Sequence, residues 1–110
     1  MEDLMRKSVA FVAAIALAAA LLTPVSAMAA AEHSAEDVVV VSDADGTEIA
    51  ITVFRPATAS KSSPAPVILH SHGWGGSRTA AIGGEIEAFL NAGFGVVSID
   101  QRGHGASGGQ

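Results

Sequence analysis

The sequence predicts an α/β fold: an antiparallel hairpin followed by a strand–helix–strand unit. Three observations carry this. Two runs dense in β-branched residues, Asp37–Val41 and Glu48–Phe54, flank the turn signal Ser42-Asp43-Ala44-Asp45-Gly46, the pattern of a hairpin. The apolar run Val67-Ile68-Leu69 leads directly into a glycine-rich stretch, His72-Gly73-Trp74-Gly75-Gly76-Ser77. A helical stripe then precedes a second apolar strand, Phe94–Ile99, which runs into another glycine-rich stretch.

The chain begins with a segment that does not belong to that fold. Arg6 and Lys7 supply positive charge, Ser8–Leu22 is an unbroken run of apolar or small residues, Pro24 interrupts it, and Ala27-Met28-Ala29 gives a small-x-small pattern. Residues 1–29 therefore read as a cleaved secretory signal peptide, with cleavage after Ala29 and with Ala27 and Ala31 as alternative positions. The competing reading is a membrane anchor. The run is shorter than the roughly 20 residues that span a bilayer, and alanine dominates it. The expected location is secreted or periplasmic, with no stable membrane anchor. The chain has no cysteine, so neither a disulfide framework nor a lipidated cysteine is possible. Residues 30–36 are expected to be a disordered spacer, and 37–110 a partial α/β domain.

The net charge is −5. Beyond the signal only Arg55, Lys61, Arg78 and Arg102 are basic, and a nucleic-acid partner would need a basic footprint. In the second strand Ile49, Ile51 and Val53 alternate with Ala50, Thr52 and Phe54, so each set takes one face. The turn acids Asp43 and Asp45 read as solvated turn residues, because no further oxygen ligands recur at the spacing of a calcium loop. Arg55-Pro56 closes the hairpin, and Ala57–Ala65 is a Ser/Ala/Pro connector. Pro66 then opens the third strand, where a missing N–H is tolerated.

After the first glycine stretch, Thr79–Ala92 is expected to be helical. Ile82, Ile86, Phe89 and Leu90 make one apolar stripe. Gly83-Gly84 weakens the first turn, and Asn91-Ala92-Gly93 is a C-terminal stop. A strand–helix–strand unit implies a parallel pair with a right-handed crossover. Ligands of such sheets collect beyond the carboxyl ends of the strands, where both glycine stretches, 73–76 and 103–109, are expected to lie. A strand ending in bare N–H groups suits the stabilisation of negative charge, as half of an oxyanion hole.

Gly105-Ala106-Ser107-Gly108-Gly109 formally fits the G-x-S-x-G nucleophile elbow. That elbow needs a strand running into the serine and a helix leaving it; here Gln101–Gly105 intervene and no helix follows. Ser107 therefore reads as a loop serine that satisfies nearby backbone groups. Gly103–Gly108 also fits G-x-G-x-x-G, but lacks the opening helix and the downstream acid of a dinucleotide site. Ser71 and His72 are neighbours on a strand and point to opposite faces, so they do not pair as nucleophile and base. His72 is expected to order the glycine loop through side-chain hydrogen bonds, His70 to sit near the core, and His104 to be a loop residue. Asp100 and Arg102 read as a structural pair or as ligands of loop carbonyls. The histidines show no clustered metal-binding spacing, and no cofactor is called for.

These stretches resemble a known family. His72-Gly73-Trp74-Gly75-Gly76-Ser77 after an apolar strand is similar to the oxyanion loop of α/β-hydrolases. Asp100-Gln101-Arg102-Gly103-His104-Gly105-Ala106-Ser107-Gly108 is similar to the D-x-R-G-x-G-x-S motif that follows their fourth strand. Asp45-Gly46-Thr47 with Val53-Phe54-Arg55-Pro56 resembles the opening of the X-prolyl dipeptidyl-peptidase-like branch (S15, cocaine-esterase-like). The resemblance spans residues 37–110. It implies an eight-stranded sheet, here truncated after strand 4, and a serine peptidase or esterase acting on a peptide or ester. It also implies that Gly73 and Trp74 shape the oxyanion hole, Trp74 through its backbone N–H, with the indole lining the acyl pocket. In that fold the triad follows in the order Ser, Asp, His, so nucleophile, acid and base are all expected beyond Gln110 and this fragment is expected to be inactive. The fifth strand of the family lies beside the third, so strand three is expected to carry an unpaired apolar edge. The competing class is a small exported α/β domain that binds a ligand or partner through the two glycine loops without catalysis.

Overall fold

A computed structural model of the chain describes residues 31–109. The signal peptide expected at 1–29 lies outside the described residues. Five elements follow: β1 (Ser34–Val41), β2 (Glu48–Arg55), β3 (Val67–Ser71), α1 (Gly84–Asn91) and β4 (Gly95–Ile99). The strands form one mixed sheet in the order β1-β2-β4-β3. With one helix packed on it, this is the α/β architecture that the sequence predicts.

The hairpin β1–β2 is antiparallel, from Ser34 opposite Arg55 to Val41 opposite Glu48. Its turn closes with Ser42 N–H on the Thr47 carbonyl and Gly46 N–H on the Ser42 carbonyl, each at 2.8 Å. Gly46 takes φ +73° there, a conformation that costs glycine little. β1 starts at Ser34, so the spacer expected over 30–36 is too long. Pairing continues because Glu36 faces Val53 in the ladder and its carboxylate meets Arg55 at 2.8 Å.

β3 and β4 run parallel, with Val67 beside Gly95 and Ser71 beside Ile99, as the strand–helix–strand pattern implies. β2 pairs antiparallel with β4, Phe54 beside Val96. The register sets two faces. Ala50, Thr52, Phe54, Val96 and Ser98 share the face that α1 covers, and all five are buried. The core there is Phe54, Ile86, Leu90 and Val96, with Phe89 against it. Ile49, Ile51, Val53, Val97 and Ile99 share the opposite face and are half-exposed. β3 is an edge strand, with Leu69 81 % exposed.

α1 is shorter at its start than the stripe predicts. Arg78 N–H bonds the Asp100 carboxylate at 2.6 Å and Thr79 N–H bonds Ser98 Oγ at 3.0 Å, so these residues are pinned to β4 in a non-helical path. Ile82 falls outside the helix and is exposed. Glu85 and Glu87 stand in the first turn, where negative charge complements the helix dipole. The helix stops where the sequence predicts. Gly93 takes φ +90°, its N–H reaches the Leu90 carbonyl at 3.0 Å, and Phe94 N–H reaches the Phe89 carbonyl at 3.0 Å, which is a Schellman cap. Among the described residues no helix is long and apolar enough to cross a membrane.

Candidate functional site

The site is built where β3 and β4 end. Because the two strands are parallel neighbours, the stretches His72–Ser77 and Asp100–Gly109 emerge side by side. His72 and Gln101 join them. Gln101 N–H donates to His72 Nε2 at 3.2 Å, and Gln101 Nε2 donates to Ser71 Oγ at 2.6 Å. Since Nε2 of His72 accepts, its Nδ1 carries the proton and donates to the Gly73 carbonyl at 2.8 Å. The His104 ring lies against the His72 ring, centroids 4.9 Å apart.

The first loop makes one turn of its own, with Gly76 N–H on the Gly73 carbonyl at 3.1 Å. Gly75 takes φ +69° in it. Trp74 is fully exposed, and its N–H meets no acceptor among the described residues. The indole stands clear of the rest of the described residues. A cavity of about 370 Å³ lies between Val53, Pro56, Lys61, Val67 and Val97, at the opposite end of the parallel strands.

Asp100 is the buried centre of the second stretch. Its carboxylate accepts Arg78 N–H at 2.6 Å, Arg78 Nη1 at 2.5 Å and Ala106 N–H at 3.0 Å. Burial pushes its pKa up. The N–H groups of Ala106 and Arg78 and the guanidinium together outweigh that and hold the carboxyl below its usual range. A Cβ at Gly105 would collide with this carboxylate, so glycine there makes room for it. Ser107 is buried too. Its Oγ donates to the Asp100 carbonyl at 2.7 Å and accepts Ala50 N–H at 2.8 Å. Both hydroxyl roles are thus spent on backbone groups from β2 and the end of β4. No imidazole reaches it, so it is not placed as a nucleophile.

The expected Asp100–Arg102 pair does not form. Arg102 turns outward and forks onto Asp45, at 2.6 and 3.1 Å, with Thr47 Oγ1 at 3.0 Å. That fork, with the Thr47 N–H and hydroxyl, holds the Asp45 carboxyl far below the usual carboxylate range. Asp45 is accordingly a tie between the hairpin turn and the second stretch, not simply a solvated acid. Gly103 closes the same stretch, its N–H on the Gly108 carbonyl at 2.8 Å.

The residue that sequence reasoning missed is Arg78. Its side chain is 15 % exposed, its Nε bonds Thr52 Oγ1 at 2.9 Å, and its Nη2 faces Asp37 at 3.5 Å. Thr52 in turn donates to Asp37 at 2.7 Å, and this hydroxyl, with Arg78, holds the Asp37 carboxyl low against the opposing cost of burial. A signal was present: an arginine between a glycine loop and an apolar stripe is seldom buried unless paired. His70 is half-buried on β3, with Nε2 3.5 Å from Glu85 and Nδ1 3.5 Å from Ser98 Oγ. Among the described residues no three His, Asp or Glu side chains gather to hold a metal ion.

At the carboxyl end of a parallel strand, exposed residues of the first loop keep backbone N–H groups without a backbone acceptor among the described residues, beside the Arg78–Asp100 ion pair. No curated protein matches the chain. The family described as X-Pro dipeptidyl-peptidase (S15 family) matches residues 45–110, from the hairpin turn through both glycine stretches. That is more than half of the chain, which therefore belongs to the X-Pro dipeptidyl-peptidase (S15) family and has a hydrolase origin.

Proposed function

We propose that this chain supplies the oxyanion-binding part of an exported serine hydrolase. The parent enzyme transfers the acyl group of a peptide or ester to water through a serine acyl-enzyme. Its Ser, Asp and His lie beyond Gln110, so residues 1–110 alone are inactive. The signal-like segment 1–29 directs the protein to the periplasm or the exterior. Nucleic acid is not a partner, no cofactor takes part, and no membrane anchor remains after cleavage.

One observation carries the reading. The Gly73–Gly76 turn stands at the carboxyl end of β3, with Trp74 exposed. There its N–H is open to a developing negative charge. A donor so placed lowers the barrier of acyl transfer by about 3–4 kcal/mol when a tetrahedral oxyanion forms against it. Glycine on both sides of Trp74 lets a substrate carbonyl approach the backbone closely.

The test compares two proteins: the 110-residue chain, and the product of the reading frame continued past the Gln110 codon. Both are assayed on Ala-Pro-p-nitroanilide and on a p-nitrophenyl ester, then labelled with a fluorophosphonate. Activity is expected in the longer product only, with the label on a serine outside residues 1–110. Label on Ser107, or turnover by the 110-residue chain, overturns the proposal. A stop codon directly after Gln110, together with cooperative folding of the short chain, favours a non-enzymatic domain that binds through its glycine loops.

A further inference from the structure

We propose that Arg78 is a positioning residue for both glycine stretches, acting through Asp100. The inference rests on the reading of Trp74 N–H as an oxyanion donor, and adds what holds that donor in place. Between His72 and Arg78 the first loop has a single internal backbone bond, Gly76 N–H to the Gly73 carbonyl. Its conformation is therefore set at its two ends. One end is His72, tied to Gln101. The other is Arg78, whose main-chain N–H and guanidinium both grip Asp100. The same carboxylate takes Ala106 N–H from the second stretch. Both stretches thus converge on one buried anion, and Arg78 supplies its only cation among the described ion pairs.

The chemistry suits arginine specifically. Nη1 meets Asp100 while Nε meets Thr52 on β2, a planar fork spanning two elements that one ammonium cannot copy. Removing the cation leaves a buried carboxylate held by N–H groups alone, which is costly enough to shift the loop rather than be borne. Asp37 is a lesser partner: it is exposed, and its carboxylate lies 3.5 Å from Nη2.

The experiment uses the 110-residue chain and reads loop order, not hydrolysis. Amide exchange is followed by NMR at Arg78, Gln101 and Ala106, with the β2 and β4 amides as an internal reference. Fluorescence anisotropy is followed at Trp74, the chain's one tryptophan. In Arg78→Lys the β2 and β4 amides are expected to keep their rates. Exchange at Arg78 and at Ala106, which lies in the other stretch, rises about ten-fold or more, and the Trp74 anisotropy falls. Arg78→Ala gives the same pattern more strongly where it folds; where it does not, Arg78→Lys decides. Asp37→Asn keeps the wild-type Ala106 exchange and the wild-type Trp74 anisotropy. Unchanged Ala106 exchange and Trp74 anisotropy in Arg78→Lys overturn the proposal. So does equal acceleration of the sheet amides, which marks Arg78 as a general stabiliser. If the loops loosen as described while the longer product hydrolyses nothing, the clamp stands and the hydrolase reading falls.

Discussion

The two glycine-rich stretches sit side by side at the same end of the sheet, yet they are built on opposite lines. The second is wired throughout. Gly103 N–H reaches the Gly108 carbonyl, His104 N–H the Gln101 carbonyl, Ser107 N–H the His104 carbonyl and Gly108 N–H the Glu48 carbonyl, all within 3.0 Å. Asp100 and Ser107 are buried within it. The first stretch has one internal backbone bond and an exposed tryptophan. Glycine therefore serves two purposes in one site. In the second stretch it makes room for packed groups; in the first it leaves N–H groups uncovered. The second is the scaffold, and the first is the surface to which the proposed function assigns a ligand.

Substituting glycines tests this contrast most strongly. Gly105→Ala places a methyl on the Asp100 carboxylate and forces alanine into φ +51°. The loss of stability should be on the order of 3 kcal/mol, by overpacking and backbone strain together. At Gly75, φ is +69° but a Cβ would meet nothing within 4 Å, so Gly75→Ala should cost about 1 kcal/mol, the backbone penalty alone. Gly73→Ala has neither handicap, and its unfolding midpoint should match wild type. Urea titrations of the three variants measure the series. Equal costs in both stretches would dissolve the distinction.

Ser107→Ala comes next. It strips a partner from Ala50 N–H and from the Asp100 carbonyl, both tied to the hydroxyl at less than 3 Å. Two groups left without partners in a buried place cost about 2 kcal/mol together. The same variant separates scaffold from chemistry: fluorophosphonate labelling of the longer product should survive it at the wild-type rate.

Much of the scaffold was legible in the chain, because it is written locally. The β-branched alternation around Asp-Gly defines the hairpin, and Ala92-Gly93 defines the helix stop. The parallel pair follows from an apolar strand, a helix and a second apolar strand. The site was legible only as a place. Sequence proximity couples Asp100 to Arg102, two residues on, whereas the fold couples it to Arg78 across the whole crossover. Nothing local separates these choices: the winner is set by the path of 77–80 along β4, which itself depends on Thr79 N–H reaching Ser98 Oγ. The start of α1 differs from the predicted one for the same reason, since apolar Ile82 continues the stripe in sequence but not in space.

Acid should reach the scaffold before it reaches the open loop. Asp100, Asp45 and Asp37 all have carboxyls held below their ordinary values. Each is ionised in both folded and unfolded chains at neutral pH, and each favours the folded chain while it stays ionised. That contribution is complete above the unfolded carboxylate value, about pH 4, and is lost as pH falls toward the lower folded values. From these carboxyls no change in stability is expected between pH 7 and pH 5, with a decline below about pH 4. Asp45→Asn, which removes the partner of the exposed Arg102 fork, should flatten part of the acid limb and leave Ala106 exchange unaffected. Urea midpoints at stepped pH measure both. A decline beginning near pH 6 would mean that these carboxylates do not limit the fold.

The smallest effect belongs to the most conspicuous side chain. Trp74→Ala removes a fully exposed indole that borders no described cavity, so stability should change by no more than about 0.5 kcal/mol. The N–H proposed as the oxyanion donor survives this substitution, because alanine keeps its backbone. Turnover by the longer product should therefore fall much less than the roughly hundred-fold or greater loss that follows deletion of a donor. Comparing kcat with KM for Trp74→Ala then separates the two parts of the residue. A rise in KM alone assigns the indole to substrate contact in the complete enzyme. A hundred-fold fall in kcat means that the indole sets the loop conformation, and the first stretch is then less open than its few hydrogen bonds imply.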